Sequence, residues 1–168
     1  QKELPQLAPP GEIWSYNNAG FTIAGRVIEV ATGQRIHDAP RELVIRPIGL
    51  TRTFTRTEEA VTHRFAAAHR TTNDALTVLR PISRSSTVTA GGVWMNLADM
   101  LAFAKFHLGD GTGADGKSVL ARSSLEQMRT ARLRKVATDD EMGLGWHLRT
   151  VGGVTTASHG GTLGHISL

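Results

Sequence analysis

The chain has no cysteine and only one tyrosine, Tyr16, among few aromatic residues. Without cysteine there is no disulfide framework, no thiolate-bound zinc and no thiol nucleophile. Proline is scarce, with six residues against 18 glycines, and no periodic glycine pattern appears, which excludes proline-rich and collagen-like classes. Neither charge dominates: 19 Lys and Arg stand against 15 Asp and Glu, a net charge of +4. No basic run of about five to eight residues occurs, so nothing points to nucleic acid. The longest uncharged stretch, residues 151–168, holds five glycines with several Thr and His, and is no membrane span. The start, Gln1-Lys2, has neither Met nor a basic-then-apolar leader.

What remains is an ordinary globular composition over 168 residues, 40% hydrophobic and 20% charged. That length suits about one domain with a proper core. Pro9-Pro10-Gly11 is turn chemistry leading into a short extended stretch around Ile13 and Trp14. Helical spacing predicts a helix over 18–32, with Phe21, Ala24, Val27, Ile28 and Ala31 on one face and Gly33 after its end. A second helix is expected from about Asp38, with Pro40 in its first turn and Pro47 ending it. Residues 51–90 are rich in Thr and weak in periodicity, the texture of a long excursion of short elements, either walling a pocket or simply solvated.

A clear helix follows Gly91-Gly92: Asn96 caps it, Leu97, Met100, Leu101, Ala104 and Leu108 share a face, and Gly109 stops it. Ser123 and Glu126 have the spacing of a capping box that opens a shorter helix through about Met128. Leu144, Trp146 and Leu148 alternate as in a strand, Gly152-Gly153 is a hairpin turn, and residues 154–159 return. Helices come first and an antiparallel sheet last. The closing alternation, Gly164 to Leu168, has no turn or polar tail after it, and the chain is expected to be a piece of a larger polypeptide.

Three short segments could carry chemistry. In Ser15-Tyr16-Asn17-Asn18, Asn18 is expected to cap the helix with Tyr16 packed beneath it; alternatively the Tyr16 phenol moves protons beside a positive charge. His159-Gly160-Gly161-Thr162 follows the returning strand. It is either a strand end beside a glycine bulge, or an edge where substrate backbone approaches and N–H groups point at it. Ala90-Gly91-Gly92-Val93-Trp94 alone is a tight turn.

Taken in order, these segments resemble the serine β-lactamase-related family, which includes class C β-lactamases, DD-peptidases and related esterases. Pro10-Gly11 through Phe21 is similar to the family's proline-glycine and Tyr-x-Asn segment, and Arg46-Pro47-Ile48-Gly49-Leu50 to its Pro-Leu-Gly-Met stretch. Ala90 to Phe106, with Asp99-Met100-Leu101-Ala102-Phe103, resembles its Gly-Gly turn and Asp-Leu-x-x-Phe helix. Gly143-Leu144-Gly145-Trp146 and His159-Gly160-Gly161 resemble its two strand motifs. The resemblance implies an α+β fold of the β-lactamase/transpeptidase kind, an α/β-type sandwich with helices packed on an antiparallel sheet. Residues 1–168 would be its middle portion, without the nucleophile segment and the closing strands.

The departure is the nucleophile: Ala102, Ala114 and Arg132 stand three residues before Lys105, Lys117 and Lys135, so no Ser-x-x-Lys is present. The resemblance implies a serine hydrolase acting through an acyl-enzyme on an ester, amide or β-lactam, with the Ser-x-x-Lys on the remainder of the polypeptide. Tyr16 would be general base or acid, Asn18 a donor to the acyl side, and His159 the polarising group in place of the strand lysine. Gly160 and Gly161 would keep the strand edge open, the Thr162 N–H would donate to the oxyanion, and Trp94 with Trp146 would wall the acyl pocket or fill the core. A histidine can be neutral near pH 7, which tilts the expectation from β-lactamase toward esterase or peptidase-like hydrolysis. His37, His63, His69, His107, His147 and His165 show no metal spacing and are read as surface or core residues. No metal or cofactor is expected, and the family implies a periplasmic or secreted bacterial setting. The other readings are a non-catalytic scaffold of the same fold, or a two-chain enzyme with its nucleophile on a partner polypeptide.

Overall fold

A computed structural model describes residues 5–81, 88–135, 140–163 and 166–167, the last four strand positions, 162–163 and 166–167, by backbone alone. Of the closing alternation, Gly164, His165 and Leu168 lie outside the described residues. The chain groups into two compact units, one of residues 17–121 with 160–168, the other of 1–16 with 122–159.

In the first unit, helix α1 runs Asn18–Thr32 and ends at Gly33, whose left-handed backbone lets its N–H reach Glu29 O. Its cap is Asn17, not Asn18: Asn17 is extended and its Oδ1 accepts from Ala19 N–H at 2.8 Å, so Asn18 is the first helical residue. The buried point of α1 is Gly25, where a Cβ would come within 2.9 Å of Thr89 Cγ2 in the 3₁₀ turn Val88–Ala90. Phe21, Val27 and Ile28, expected to face a core, are exposed. Ile23 and Val30 extend the apolar surface around the helix, so periodicity could not select the side that Gly25 opens to close packing.

The second helix also differs from expectation. A π-turn, Arg41–Ile45, runs directly into α2, Arg46–Ile48, and Gly49 at φ +88° ends it. Pro47 therefore sits inside the helical run. It has no N–H to give the preceding turn, and its ring would press on the carbonyl four residues back; a widened turn just before it relieves both. Its own carbonyl takes the Ala114 N–H at 2.9 Å.

The excursion over 51–90 consists of short elements: β1 (Thr53–Phe54), α3 (Thr57–Ala60) and the hairpin of β2 (His69–Thr72) with β3 (Ala75–Val78). Asn73 and Asp74 make the hairpin turn with positive φ, which these two side chains tolerate. Strand β4 (Trp94–Met95) pairs antiparallel with β1. Helix α4, Leu97–Leu108, starts as expected, with Asn96 Oδ1 accepting from Asp99 N–H at 2.8 Å. The face it buries is the other one: Asp99 and His107 are buried, and Ala102, Phe103 and Phe106 pack on Ile45, Ile48 and Leu50. Leu97, Met100, Leu101 and Leu108 are exposed. One carboxylate oxygen, Asp99 Oδ2, accepts from Arg52 N–H and from the buried Thr53 hydroxyl, each at 2.7 Å, tying α4 to the start of β1.

The second unit holds α5 (Arg122–Met128) and a four-stranded antiparallel meander, β5 (Leu133–Arg134), β6 (Glu141–Met142), β7 (His147–Val151) and β8 (Val154–Ser158). Ser123 lies inside α5 rather than capping it, and Glu126 Oε1 takes the Arg122 Nε–H at 2.9 Å, so the expected capping box does not form. The strand begins at His147, not Leu144. Residues 143–146 turn instead, with Gly145 at φ +76° and Gly143 N–H donating to Trp146 O at 2.9 Å. Gly143 admits no side chain, because a Cβ would lie 2.3 Å from Met128 O. Leu125, Met142 and Leu148 are buried here. Gly152 and Gly153, both at positive φ, close β7 onto β8 as expected. Strands β9 (Thr162–Leu163) and β10 (Ile166–Ser167) pair with each other in the first unit.

Candidate active site

The unit of residues 1–16 and 122–159 brings together two of the expected site residues from opposite ends of the chain. Tyr16, 56% exposed, has its ring centroid 6.3 Å from that of His159, which directly follows β8. Two further rings join them. His147 lies 5.3 Å from His159, and Trp14 lies 5.9 Å from His147 and 6.3 Å from Tyr16. Lys135 Nζ stands 5.2 Å from the centre of the Trp14 ring and pairs with Asp140 at 3.2 Å, with Arg149 Nε 3.9 Å from the same carboxylate. A phenol and an imidazole, two side-chain types used in general acid–base chemistry, thus lie side by side.

Burial, above all, holds the His147 imidazole below its ordinary value of 6.5; the Lys135 ammonium and His159 push the same way, and Asp140 opposes them. A base whose folded form resists protonation binds fewer protons than the unfolded chain. Stability is therefore full above 6.5 and falls as pH drops from there through the folded value. Urea unfolding between neutral pH and about pH 5 should show this loss, and His147→Phe should remove its share of it. Equal acid sensitivity in the variant would contradict the assignment.

Apart from Trp146, which lies in the turn before β7, the other expected residues belong to the first unit. Asn18 opens α1, exposed, with its backbone carbonyl accepting from Thr22 Oγ1 at 3.3 Å. Gly160 and Gly161 are exposed, and a Cβ at Gly161 would meet nothing within 4 Å, so packing of the described residues does not require glycine there. Thr162 begins β9, opposite Ser167. Trp94 on β4 meets Phe65 edge-on at 5.9 Å and donates from Nε1 to Thr57 Oγ1 at 3.3 Å, the contacts of a packing residue. Among the described residues no group of three or more His, Asp or Glu is arranged to hold a metal ion, and no helix is long and apolar enough to cross a membrane.

Sequence reasoning missed His147, read as a surface or core histidine, and assigned no role to Trp14 and Lys135. A signal for His147 was present. A two-residue turn at Gly152-Gly153 pairs Val151 with Val154 and, counting back, His147 with Ser158, beside His159.

A family model described as beta-lactamase matches residues 2–168. Penicillin-binding protein 4 of Amycolatopsis lactamdurans is 35% identical over 170 positions, covering 96% of this chain and 44% of that protein. The chain thus spans less than half the length of that relative. Among solved structures, a D-stereospecific amidohydrolase from Streptomyces sp. superposes with a TM-score of 0.72 at 26% identity, over 92% of this chain and 45% of the other. The octameric penicillin-binding protein homologue from Pyrococcus abyssi has the same fold, with a TM-score of 0.80 at 20% identity over 93% of this chain and 35% of that one.

Proposed function

Because the chain belongs to the beta-lactamase family, we propose that it is the proton-handling portion of a serine hydrolase that works through an acyl-enzyme. The observation that carries this reading is the approach of Tyr16 and His159 to 6.3 Å within one compact unit. The serine of a Ser-x-x-Lys segment outside these 168 residues attacks a carbonyl. Tyr16 takes the proton from that hydroxyl and returns it to the leaving group, and the same residue serves the water that releases the acyl group. His159, when protonated, favours the phenolate. Asn18 donates its amide to the acyl side of the substrate. The Thr162 N–H and that of the nucleophile bind the oxyanion, and losing one such donor typically costs about 2.7–4 kcal/mol in the transition state. Gly160 and Gly161 leave room for the substrate.

The substrate is a small ester or amide, β-lactams and D-amino acid amides included. The relatives named for penicillin binding and for D-stereospecific amide hydrolysis support that class. The alternative is a non-catalytic scaffold of the same fold.

A fluorophosphonate probe separates the two. The polypeptide carrying these residues, or a companion chain that purifies with it, is expected to gain one phosphonate by intact mass, blocked by prior acylation with a β-lactam. A preparation with no labelled species would favour the scaffold.

A further inference from the structure

We propose that His147 is a positioning residue for His159, the two imidazoles forming a braced pair at the ends of adjacent strands. The inference deepens the hydrolase reading and rests on it for its kinetic consequence, but not for its geometry. Strand β7 begins at His147 and β8 ends at Ser158, its register partner, so the residue after β8 emerges beside the His147 ring. The two ring centroids are 5.3 Å apart at 54°. On its other side His147 meets Trp14 at 72°, Trp14 meets Tyr16 at 64°, and Tyr16 returns to His159. Each of the four rings touches two others. Their separations, 5.3 to 6.3 Å, are those of side chains packed directly together, so the cycle supports itself rather than enclosing a ligand.

The charges around His147 fit a bracing role. Lys135 and Asp140 face it from the β5–β6 hairpin, His159 from the end of β8, and Arg149 of β7 stands against Asp140. Two adjacent imidazoles do not both charge readily, so their protons leave and enter as a coupled set. Burial disfavours the charged form of the His147 ring beside His159. An imidazole's tautomer is set by what its other nitrogen meets. His147 therefore decides which nitrogen His159 presents to Tyr16.

The test is an imidazole NMR titration of the protein and of His147→Phe and His147→Gln. It needs no substrate. The phenylalanine keeps a ring against Trp14 but offers no nitrogen; the glutamine restores a hydrogen-bonding group. In His147→Phe the proton affinity of His159 should move at least about threefold and its tautomer signature should change, with His147→Gln nearer the wild type. In the wild type, protonating His159 should shift the His147 resonances. Should His147→Phe not fold, His147→Gln and that wild-type cross-response decide.

An unmoved His159 in a folded His147→Phe, or no cross-response in the wild type, overturns the pairing whatever the activity. In the polypeptide that carries the nucleophile, with p-nitrophenyl acetate as probe, His147→Phe should lower kcat at least about tenfold with KM nearly unchanged and displace the pH profile. His147→Gln should recover most of the rate. Coupled titrations without any wild-type turnover would overturn the hydrolase reading and leave the pair standing.

Discussion

Tyr16→Phe, made in the polypeptide that carries the nucleophile, is expected to reduce kcat by about 10²- to 10⁴-fold, the usual contribution of a positioned proton-transfer group. KM should stay within about twofold, because the lost atom acts on the reacting bond rather than on substrate held in the ground state. The substitution removes one hydroxyl and keeps the ring. Its edge contact with Trp14 at 6.3 Å and its tilted contact with His159 therefore survive, and the melting temperature should not change. That separates chemistry from architecture. Steady-state turnover of a chromogenic ester or a β-lactam gives the result directly, and a variant as fast as the wild type would remove Tyr16 from the mechanism.

Asp99→Ala should produce a large loss of stability in the unit that contains α4. Two donors converge on one oxygen of this buried carboxylate: the Arg52 N–H and the Thr53 hydroxyl, itself buried. Alanine leaves both without their acceptor, at about 3 kcal/mol for the set, since hydrogen bonds to a charged group are stronger than neutral ones. Asp99 is also the third helical residue of α4, where the exposed backbone N–H groups favour an anion. Asp99→Asn can keep a carbonyl oxygen at the same point and loses only the charge, about 1 kcal/mol. Urea denaturation of both variants measures the difference. Equal midpoints for alanine and wild type would mean that α4 is held to β1 by its apolar face alone.

Local chemistry was legible in the sequence, and faces were not. Asn96 before α4, Gly33 after α1 and the Gly152-Gly153 turn act through their own backbone and nearest neighbours, and each does what its residue type predicts. The faces depend on partners distant in the chain. Helix α4 carries apolar residues on two sides, so Leu97, Met100, Leu101 and Leu108 made as good a stripe as the one that packs on Ile45 and Ile48. Asp99, one of its two buried polar residues, stood out only as a motif position. Its partners at the start of β1, Arg52 just before the strand and Thr53 on it, lie almost fifty residues upstream and are tied to it only by the fold.

The candidate site divides the same way. Tyr16 and His159 stood out because each occupies a short motif that could be matched to a family pattern. His147 occupies none; its importance comes from where a strand pairs. Pro47 is similar: a residue that should end a helix lies within one because the turn before it widened.

The Gly152-Gly153 turn makes the hairpin a ruler. It begins five residues from His147, about 17 Å along the strand, yet it sets which residue of β8 stands opposite that ring. Side chains alternate between the two faces of a strand, so gaining or losing one residue at this exposed tip would slip β8 against β7 and take His159 away from His147. This exposed loop has open space around both glycines, yet their positive φ restricts which residues fit there, and the pairing holds its length fixed.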